Sequence, residues 1–197
     1  MERKITGHLT IEKVYNDGEV EIVFAEDNVI VSGMGVALGH LFAGSGSDNI
    51  LDYRLDRFQL GVSGDSSLQV ASTYQLSGAL SSVDEYTGGS SNIVTSENNV
   101  VENGSTSVDT SAFALIPQNK IAKVGTTAVR YILVVDSESC NGIQRGGSDK
   151  ALSEIGLFMK NYAGAAQDEP ILVAYRSFTD IIKTSDFSLI FYWTLYF

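Results

Sequence analysis

The sequence predicts an all-β fold, a β-sandwich-like arrangement of roughly ten strands with one inserted α-helix near residues 34–43. Three observations lead to this prediction. Short segments that alternate apolar and polar residues recur along the 197-residue chain, and its 19 glycines suit a fold with many tight turns. One stretch has apolar residues at helical spacing. The last eleven residues, FSLIFYWTLYF, are apolar at every second position.

This C-terminal segment is the predicted centre of the core. One register of its residues is wholly apolar and the other is only half polar, which is typical of a strand inside a sheet and not at a solvated edge. We expect Phe191, Trp193 and Phe197 to be buried on one face. Tyr192 and Tyr196 should be partly covered on the other face, by a second layer or by a neighbouring subunit. The segment is too short for a membrane-spanning helix, which needs about 20 residues.

Residues 5–14 and 19–25 are predicted to form an N-terminal β-hairpin. An Asn-Asp-Gly turn lies between them, and these residue types tolerate the positive φ angles of a tight hairpin turn. Alternation places three apolar residues of each strand on a common face. These are Ile5, Leu9 and Ile11 in the first strand, and Val20, Ile22 and Phe24 in the second.

The helix is predicted from a change of period that follows Gly33. Gly33 and Gly35 are placed in the turn that enters the helix, where a glycine could take a positive φ. Gly44 is the expected C-cap. Between these glycines, five apolar residues have the spacing of one helix face: Met34, Ala37, Leu38, Leu41 and Phe42.

The rest of the chain divides into one irregular region and a series of strands. Residues 66–110 are expected to form irregular hairpins or a protruding loop, because Gly, Ser and Asn interrupt every short β-like piece. Residues 129–135 are apolar on nearly both faces and should be a central strand. Further strands are predicted at residues 58–62, 112–116, 120–124, 155–159 and 171–178. The length suits a single β-rich domain over residues 1–197.

Composition narrows the classes of function. The formal net charge is −11, so we expect no interface with nucleic acid or with an anionic membrane, because both need basic residues. Mean hydropathy is +0.06, and no apolar run is long enough to span a bilayer. The N-terminus lacks the apolar region of a secretory signal, so none is expected. The single cysteine, Cys140, excludes an intramolecular disulfide.

No motif predicts a catalytic, cofactor or metal site. Residues 33–39 (GMGVALG) open a helix, but the third glycine comes one residue later than in a dinucleotide-binding turn. His8 and His40 belong to no recognisable spacing of metal ligands. Cys140 lies in a polar loop, and a Cys–His pair across the fold stays open. We therefore expect no cofactor, no metal and a non-enzymatic protein.

Several motifs of the second half occur in a set order. They are SEIGLF at residues 153–158, Ala174 with Arg176 and Phe178, Lys183-Thr184 with Asp186, and WTLYF at residues 193–197. This order resembles the C-terminal pattern of bacteriophage tail-associated structural proteins, although Tyr175 separates Ala174 from Arg176. Weaker matches in the first half are NVIV at residues 28–31, LFAG at 41–44 and FQLGV at 58–62.

The resemblance implies a virion component of the tail, baseplate, neck or fibre-attachment region, made in the host cytoplasm. It also implies a symmetric homo-oligomer, a trimer or a ring, that contacts other virion proteins. The alternative is a receptor- or carbohydrate-binding module at the tail tip. This alternative rests on Tyr74, Tyr86 and Tyr162, which lie in polar, Gly-rich or Ser-rich segments where their rings could stack on sugars.

Glu154 and Arg176 are the candidate structural ion pair. Glu154 sits among the apolar residues of a predicted strand, and a buried carboxylate needs a partner. Arg176 lies in the next strand but is placed near Glu154 by sequence order alone. The alternative, that both side chains point to solvent, stays open.

Overall fold

The computed structural model describes residues 4–43, 54–64, 76, 78–80, 93–102, 105–160 and 170–197. In this part of the chain the protein is an all-β fold with one α-helix, as predicted. The elements are β1 (Thr6–Tyr15), β2 (Val20–Ile30), α1 (Gly33–Ala43), β3 (Leu55–Gly61), β4 (Ile93–Glu102), β5 (Ser105–Leu115), β6 (Ile121–Lys123), β7 (Ala128–Val135), β8 (Gln144–Arg145), β9 (Ser148–Asp149), β10 (Leu152–Met159), β11 (Ile171–Ile181) and β12 (Phe187–Tyr196). A 3-10 turn at Gln118–Lys120 precedes β6.

Ten of the strands form one antiparallel sheet in the order β4-β5-β3-β10-β11-β2-β1-β12-β7-β6, while β8 and β9 form a separate hairpin. Strand β2 joins the two halves of this sheet. Its residues 20–28 pair with β1, and Val29 and Ile30 pair with β11. We call β2, β1, β12, β7 and β6 the first half, and β11, β10, β3, β5 and β4 the second half.

The two halves curl over each other and enclose a common core. Phe58 of β3 stacks on Trp193 of β12 with ring centroids 5.9 Å apart and an interplanar angle of 25°. Phe178 of β11 and Phe191 of β12 meet at 6.1 Å. The arrangement is therefore sandwich-like, but its two layers belong to one continuous sheet.

Strand β12 is central to the first half, as predicted. It pairs with β1 along one side and with β7 along the other, and Phe191 and Trp193 are fully buried. The prediction for Phe197 is wrong, because 43% of this residue is exposed. Strand β12 ends at Tyr196, and the backbone N–H of Phe197 bonds to the carbonyl of Thr127 outside the core.

The N-terminal hairpin is confirmed. Strands β1 and β2 pair along their length, and Gly18 in the connecting turn has a φ of +93°, a conformation that favours glycine. Leu9 and Ile11 are fully buried and share one face of β1. The first strand therefore contributes to the core as its alternation indicates.

The predicted core face of β2 is wrong for two of its three residues. A β-bulge shifts the register, so that Ile11 lies opposite Phe24 but Glu12 lies opposite Ile22. The extra residue of β2 turns every side chain before it to the other face of the sheet. Val20 and Ile22 consequently point to solvent and are 55% and 63% exposed.

Helix α1 begins at Gly33 and packs against β11. Met34 and Ala37 are buried as predicted, but Phe42 is 86% exposed, so the apolar face of the helix does not continue to its last turn. Neither glycine at the helix entry takes a positive φ. Gly33 is instead needed for space, because a Cβ there would collide with the carbonyl oxygen of Leu172. The expected C-cap, residue 44, lies outside the described residues.

Strand β7 is not central but second from the edge, because β6 covers its outer side. It alternates more cleanly than its sequence indicates. Tyr131, Leu133 and Val135 are buried, whereas Val134 is 44% exposed. The second apolar face of β7 is thus partly open to solvent.

The region expected to be irregular, residues 66–110, is described only in part. Residues 93–102 and 105–115 form the long hairpin β4–β5. This hairpin joins the sheet through Leu115 and Ala114, which pair with β3. Of the remainder, the structure describes residues 76 and 78–80, and the rest of the predicted loop lies outside the described residues.

Candidate interaction surface

The first half of the sheet carries several apolar side chains, with one carboxylate among them, on the face away from the core. Ile22, Glu12, Ile190 and Val134 lie opposite one another on β2, β1, β12 and β7. Successive side chains of a strand point to opposite faces, so these residues share the outward one. We call the following set the outer face: Val20, Ile22, Thr10, Glu12, Ile190, Tyr192, Tyr196, Arg130, Ile132 and Val134.

Tyr192 lies near the middle of the outer face and is half-buried. The guanidinium of Arg130 is 5.9 Å from the centre of its ring, and Arg130 Nε also donates to Thr194 Oγ1 at 3.2 Å. Burial, and then the carboxylate of Glu12, raise the pKa of the Tyr192 phenol. The face therefore combines aliphatic side chains with a neutral phenol, one carboxylate and one guanidinium.

The structure separates the five residues predicted for the core and assembly strand. Phe191 and Trp193 lie inside the core, Tyr192 and Tyr196 lie on the outer face, and Phe197 lies beyond the strand. Tyr196 is 45% exposed. Val20, Ile22 and Val134 on the outer face are 55%, 63% and 44% exposed, so this part of the face is open to solvent. A surface of this kind can bury apolar area against a protein partner.

The predicted Glu154–Arg176 ion pair is wrong. Ile155 lies opposite Arg176 in the β10–β11 pairing, so Glu154 and Arg176 point to opposite faces of the sheet. Arg176 forms its ion pair with Glu26 of β2 instead. Its guanidinium also lies 5.3 Å from the ring centre of Phe24.

Glu154 is fully buried and is held by neutral donors. Its Oε1 accepts hydrogen bonds from Ser63 Oγ at 2.9 Å, from Ser63 N at 3.3 Å and from Gly78 N at 3.1 Å. Its Oε2 accepts one from the hydroxyl of Tyr175 at 3.0 Å. A Cβ at Gly61 or Gly78 would collide with the carboxylate. Glu154 thus ties the end of β3 and the segment at Gly78 to β10, as a buried polar group must be satisfied.

Lys183, in the K-T-x-D turn, is similarly enclosed. Its Nζ donates to Ser137 O at 3.3 Å, to Asn141 Oδ1 at 3.1 Å and to Thr184 O at 2.7 Å. Burial lowers the pKa of this ammonium group. Thr184 Oγ1 donates to Asp186 Oδ2 at 3.0 Å in the same turn. The lysine therefore anchors residues 137–141 to the turn before β12.

A polar groove of about 510 Å³ opens beside Arg176. Glu26, Asp180 and several serine hydroxyls line it together with two phenylalanines. Arg176 covers the ring of Phe24, and Phe178 is only 7% exposed. The groove offers charges and hydroxyl groups, but neither ring is open for stacking on a sugar. The tyrosines predicted to stack on sugars, Tyr74, Tyr86 and Tyr162, lie outside the described residues.

No three His, Cys, Asp or Glu residues come together as a metal site in the described part of the chain. His8 Nδ1 lies 3.0 Å from Asp27 Oδ1 at an exposed position. Cys140 is buried. The side chain of His40 lies outside the described part of the structure. None of the described helices has the length and apolar character needed to cross a bilayer.

No family model, no curated protein and no solved structure matches this chain. Its function must therefore be inferred from its own residues. The outer face is the feature with most to contribute, because apolar side chains of β2, β12 and β7 lie on it, beside Thr10 and Glu12 of the intervening β1.

Sequence reasoning missed the outer-face role of Ile22 and the real partners of Glu154 for different reasons. The alternation of β2 was visible, but nothing in it marks the bulge that reverses its faces. The donors to Glu154 lie 91, 76 and 21 residues away in the sequence. A glycine within the predicted strand FQLGV, Gly61, is the one sequence signal of a close approach there.

Proposed function

We propose that this chain is a non-enzymatic structural component of a bacteriophage tail, baseplate or neck, which assembles as a symmetric homo-oligomer among other virion proteins. The order of its C-terminal motifs resembles that of such proteins. The single observation that carries the proposal is the outer face. A folded chain that leaves this face uncovered has apolar area available for a subunit contact.

The composition of the outer face suits a second copy of the same chain. A two-fold contact brings the same surface patch of each copy together, so the patch must be complementary to itself. The outer face satisfies this requirement because Glu12 and Arg130 place both signs of charge beside aliphatic residues. Exposed Ile22 and Val134 supply the apolar area.

The motif residues also support a structural role. All eight residues of β10, which contains SEIGLF, are buried. Glu154 and Lys183, the charged residues of two motifs, are held by hydrogen bonds within the chain and are not presented to a ligand. Residues of this kind maintain a fold; they are not arranged for chemistry on a substrate.

The test is the composition of tailed particles purified from cells that produce the chain. Mass spectrometry should find it in constant proportion to other tail proteins, and antibodies raised against the purified chain should label one zone of the tail. Antibody absorbed with the chain is the control. Particles free of the chain, with all of it left in the supernatant, would overturn the proposal.

A further inference from the structure

The β4–β5 hairpin extends beyond the part of β3 that anchors it. It is anchored where Leu115 and Ala114 pair with β3, but its own pairing continues to Glu102 and Ser105. Its contacts with the rest of the described chain lie near the anchored end: β5 pairs with β3, and the ring of Phe113 packs edge to face on Phe158 of β10 at 5.2 Å. At about 3.3 Å per residue, the stretch from Ser96 to Glu102 reaches roughly 23 Å. The hairpin is therefore an arm long enough to reach a neighbouring subunit.

A two-stranded hairpin alone is marginally stable in water, because it has no layer against which to pack. Strand β4 is also an edge strand, since β5 is its one partner among the described strands. The outer side of an edge strand presents unpaired backbone N–H and C=O groups, which can pair with another chain. The arm thus has both the need and the means to bind a strand.

The arm is acidic. Residues 93–116 contain Glu97, Glu102 and Asp109 and no Lys or Arg. A partner of opposite charge would favour the encounter. The charge of the arm therefore selects a basic strand edge.

The strand edge at the opposite end of the same sheet is basic. Residues 117–135 contain Lys120, Lys123 and Arg130 and no Asp or Glu. Strand β6 forms this edge and pairs with β7 alone among the described strands. Lys123 is exposed at its end. The two edges of one sheet are thus complementary in charge.

Strand β6 also offers backbone groups. Val124 N–H bonds to the carbonyl of Ala128, which makes these two residues a hydrogen-bonded pair of the β6–β7 hairpin. Such pairs alternate with non-bonded pairs in an antiparallel ladder. Lys123, the residue before, therefore directs its N–H and C=O away from β7, toward any strand that arrives at this edge.

We propose that the acidic arm of one copy adds to the β6 edge of a second copy, with β4 pairing with β6 and its carboxylates next to Lys120 and Lys123. The inference rests on the proposed function in one respect, that the chain self-assembles, and it names the surfaces that meet. Two different edges make a head-to-tail contact, which closes into a ring when the rotation between copies allows. This adds a strand to an open sheet edge by the same backbone pairing that peptides use.

The test is the self-association constant of the full chain, measured by sedimentation and light scattering. One variant reverses the charge of β4 (Glu97→Lys with Glu102→Lys), another reverses the charge of the β6 edge (Lys120→Glu with Lys123→Glu), and a third combines all four changes. Each reversal alone should raise the dissociation constant at least tenfold. The combined variant should return to within threefold of the unmodified chain, because the ion pairs are restored in the opposite sense.

Two further variants control for net charge. Glu19→Lys with Glu138→Lys, and Lys4→Glu with Lys150→Glu, make the same changes of charge at exposed positions of other surfaces. Both should keep the original dissociation constant. Circular dichroism and thermal melting of every variant show that the fold is intact. A shortened arm, with residues 98–109 replaced by Asn-Gly, should associate as weakly as the reversed arm and should not be rescued by the edge reversal.

The outcomes separate this inference from the proposed function. Reversed variants that associate like their controls, or a combined variant without recovery, would overturn the arm-to-edge contact while leaving a tail protein that assembles through another surface. A chain that stays monomeric at every concentration would also overturn it. The content of purified particles tests the proposed function independently.

Discussion

Phe58 and Trp193 stack face to face at 5.9 Å although four strands lie between β3 and β12 in the order of the sheet. This contact exists only because the sheet curls at β2 and brings its two halves together. Both residues are fully buried. The stability of the fold should therefore depend far more on Phe58 and Trp193 than on Phe197, which lies beyond the end of β12.

Trp193→Ala should lower the free energy of unfolding by roughly 3–5 kcal/mol, because it removes a large buried side chain and leaves a cavity between the halves. Phe197→Ala is the matched control four residues away, at a position that is 43% exposed. It should change stability by less than about 1 kcal/mol. Urea denaturation of both variants checks this, and equal losses would show that β12 is not the centre of the core.

The two glycines at the start of α1 should differ sharply. Gly33→Ala introduces a Cβ that collides with the Leu172 carbonyl and should cost roughly 1–3 kcal/mol. Gly35 has open space around it. Gly35→Ala should therefore be neutral, or stabilising by up to about 1 kcal/mol, since alanine favours helix. Melting curves compare the two, and a Gly33→Ala protein as stable as Gly35→Ala would refute the steric argument.

Glu154→Gln tests the buried hydrogen-bond network. An amide cannot accept all of the bonds from Ser63 and Gly78 if its NH₂ group replaces Oε1, so we expect a loss of roughly 1–3 kcal/mol. Glu138→Gln, at an exposed position, should be neutral. Because the predicted ion pair is absent, the losses caused by Arg176→Gln and Glu154→Gln should be additive. Non-additive losses in a double-mutant cycle of Glu154→Gln with Arg176→Gln would contradict this.

Tyr131 should make the protein sensitive to alkali. Burial raises the pKa of its phenol to about 12, above its ordinary value of 10.0. The unfolded chain loses this proton first, so stability is complete below about pH 10 and falls as the pH rises toward 12, by roughly 3 kcal/mol in all.

Tyr131→Phe removes the ionisable group and should flatten this dependence. The measurement is urea denaturation of both proteins at about pH 9 and pH 11. Identical losses of stability in the two proteins would show that other groups account for the alkaline sensitivity.

Much of the fold could be predicted from local patterns, and the exceptions have identifiable causes. Alternation located β1, β2 and β12, and helical spacing located α1, because each pattern reflects a single strand or helix. The exposed position of Ile22 depends on a bulge, and a bulge depends on the partner strand. The partners of Glu154 depend on which distant segments fold beside β10. Neither property is present in a local window of sequence.

The outer face was predictable only in part, because local patterns describe a single strand but not its neighbours. The half-apolar second register of β12 indicated that Tyr192 and Tyr196 would face a covering layer or a subunit. It could not indicate that β2 and β7 would add Ile22 and Val134 to the same row, because strand order is a property of the whole sheet. The β4–β5 arm was expected only as an irregular or protruding region.

The most direct test of the central claim, that the outer face is a subunit contact, is the mass of the chain in solution. Light scattering should show an oligomer for the unmodified chain. Ile22→Thr with Val134→Thr keeps strand propensity but removes apolar area, and it should weaken self-association at least tenfold without unfolding the protein. Val36→Thr with Ile182→Thr makes equivalent changes at exposed positions elsewhere and should leave the mass unchanged. A monomeric unmodified chain, or an outer-face variant with the same mass and affinity as its control, would contradict the account.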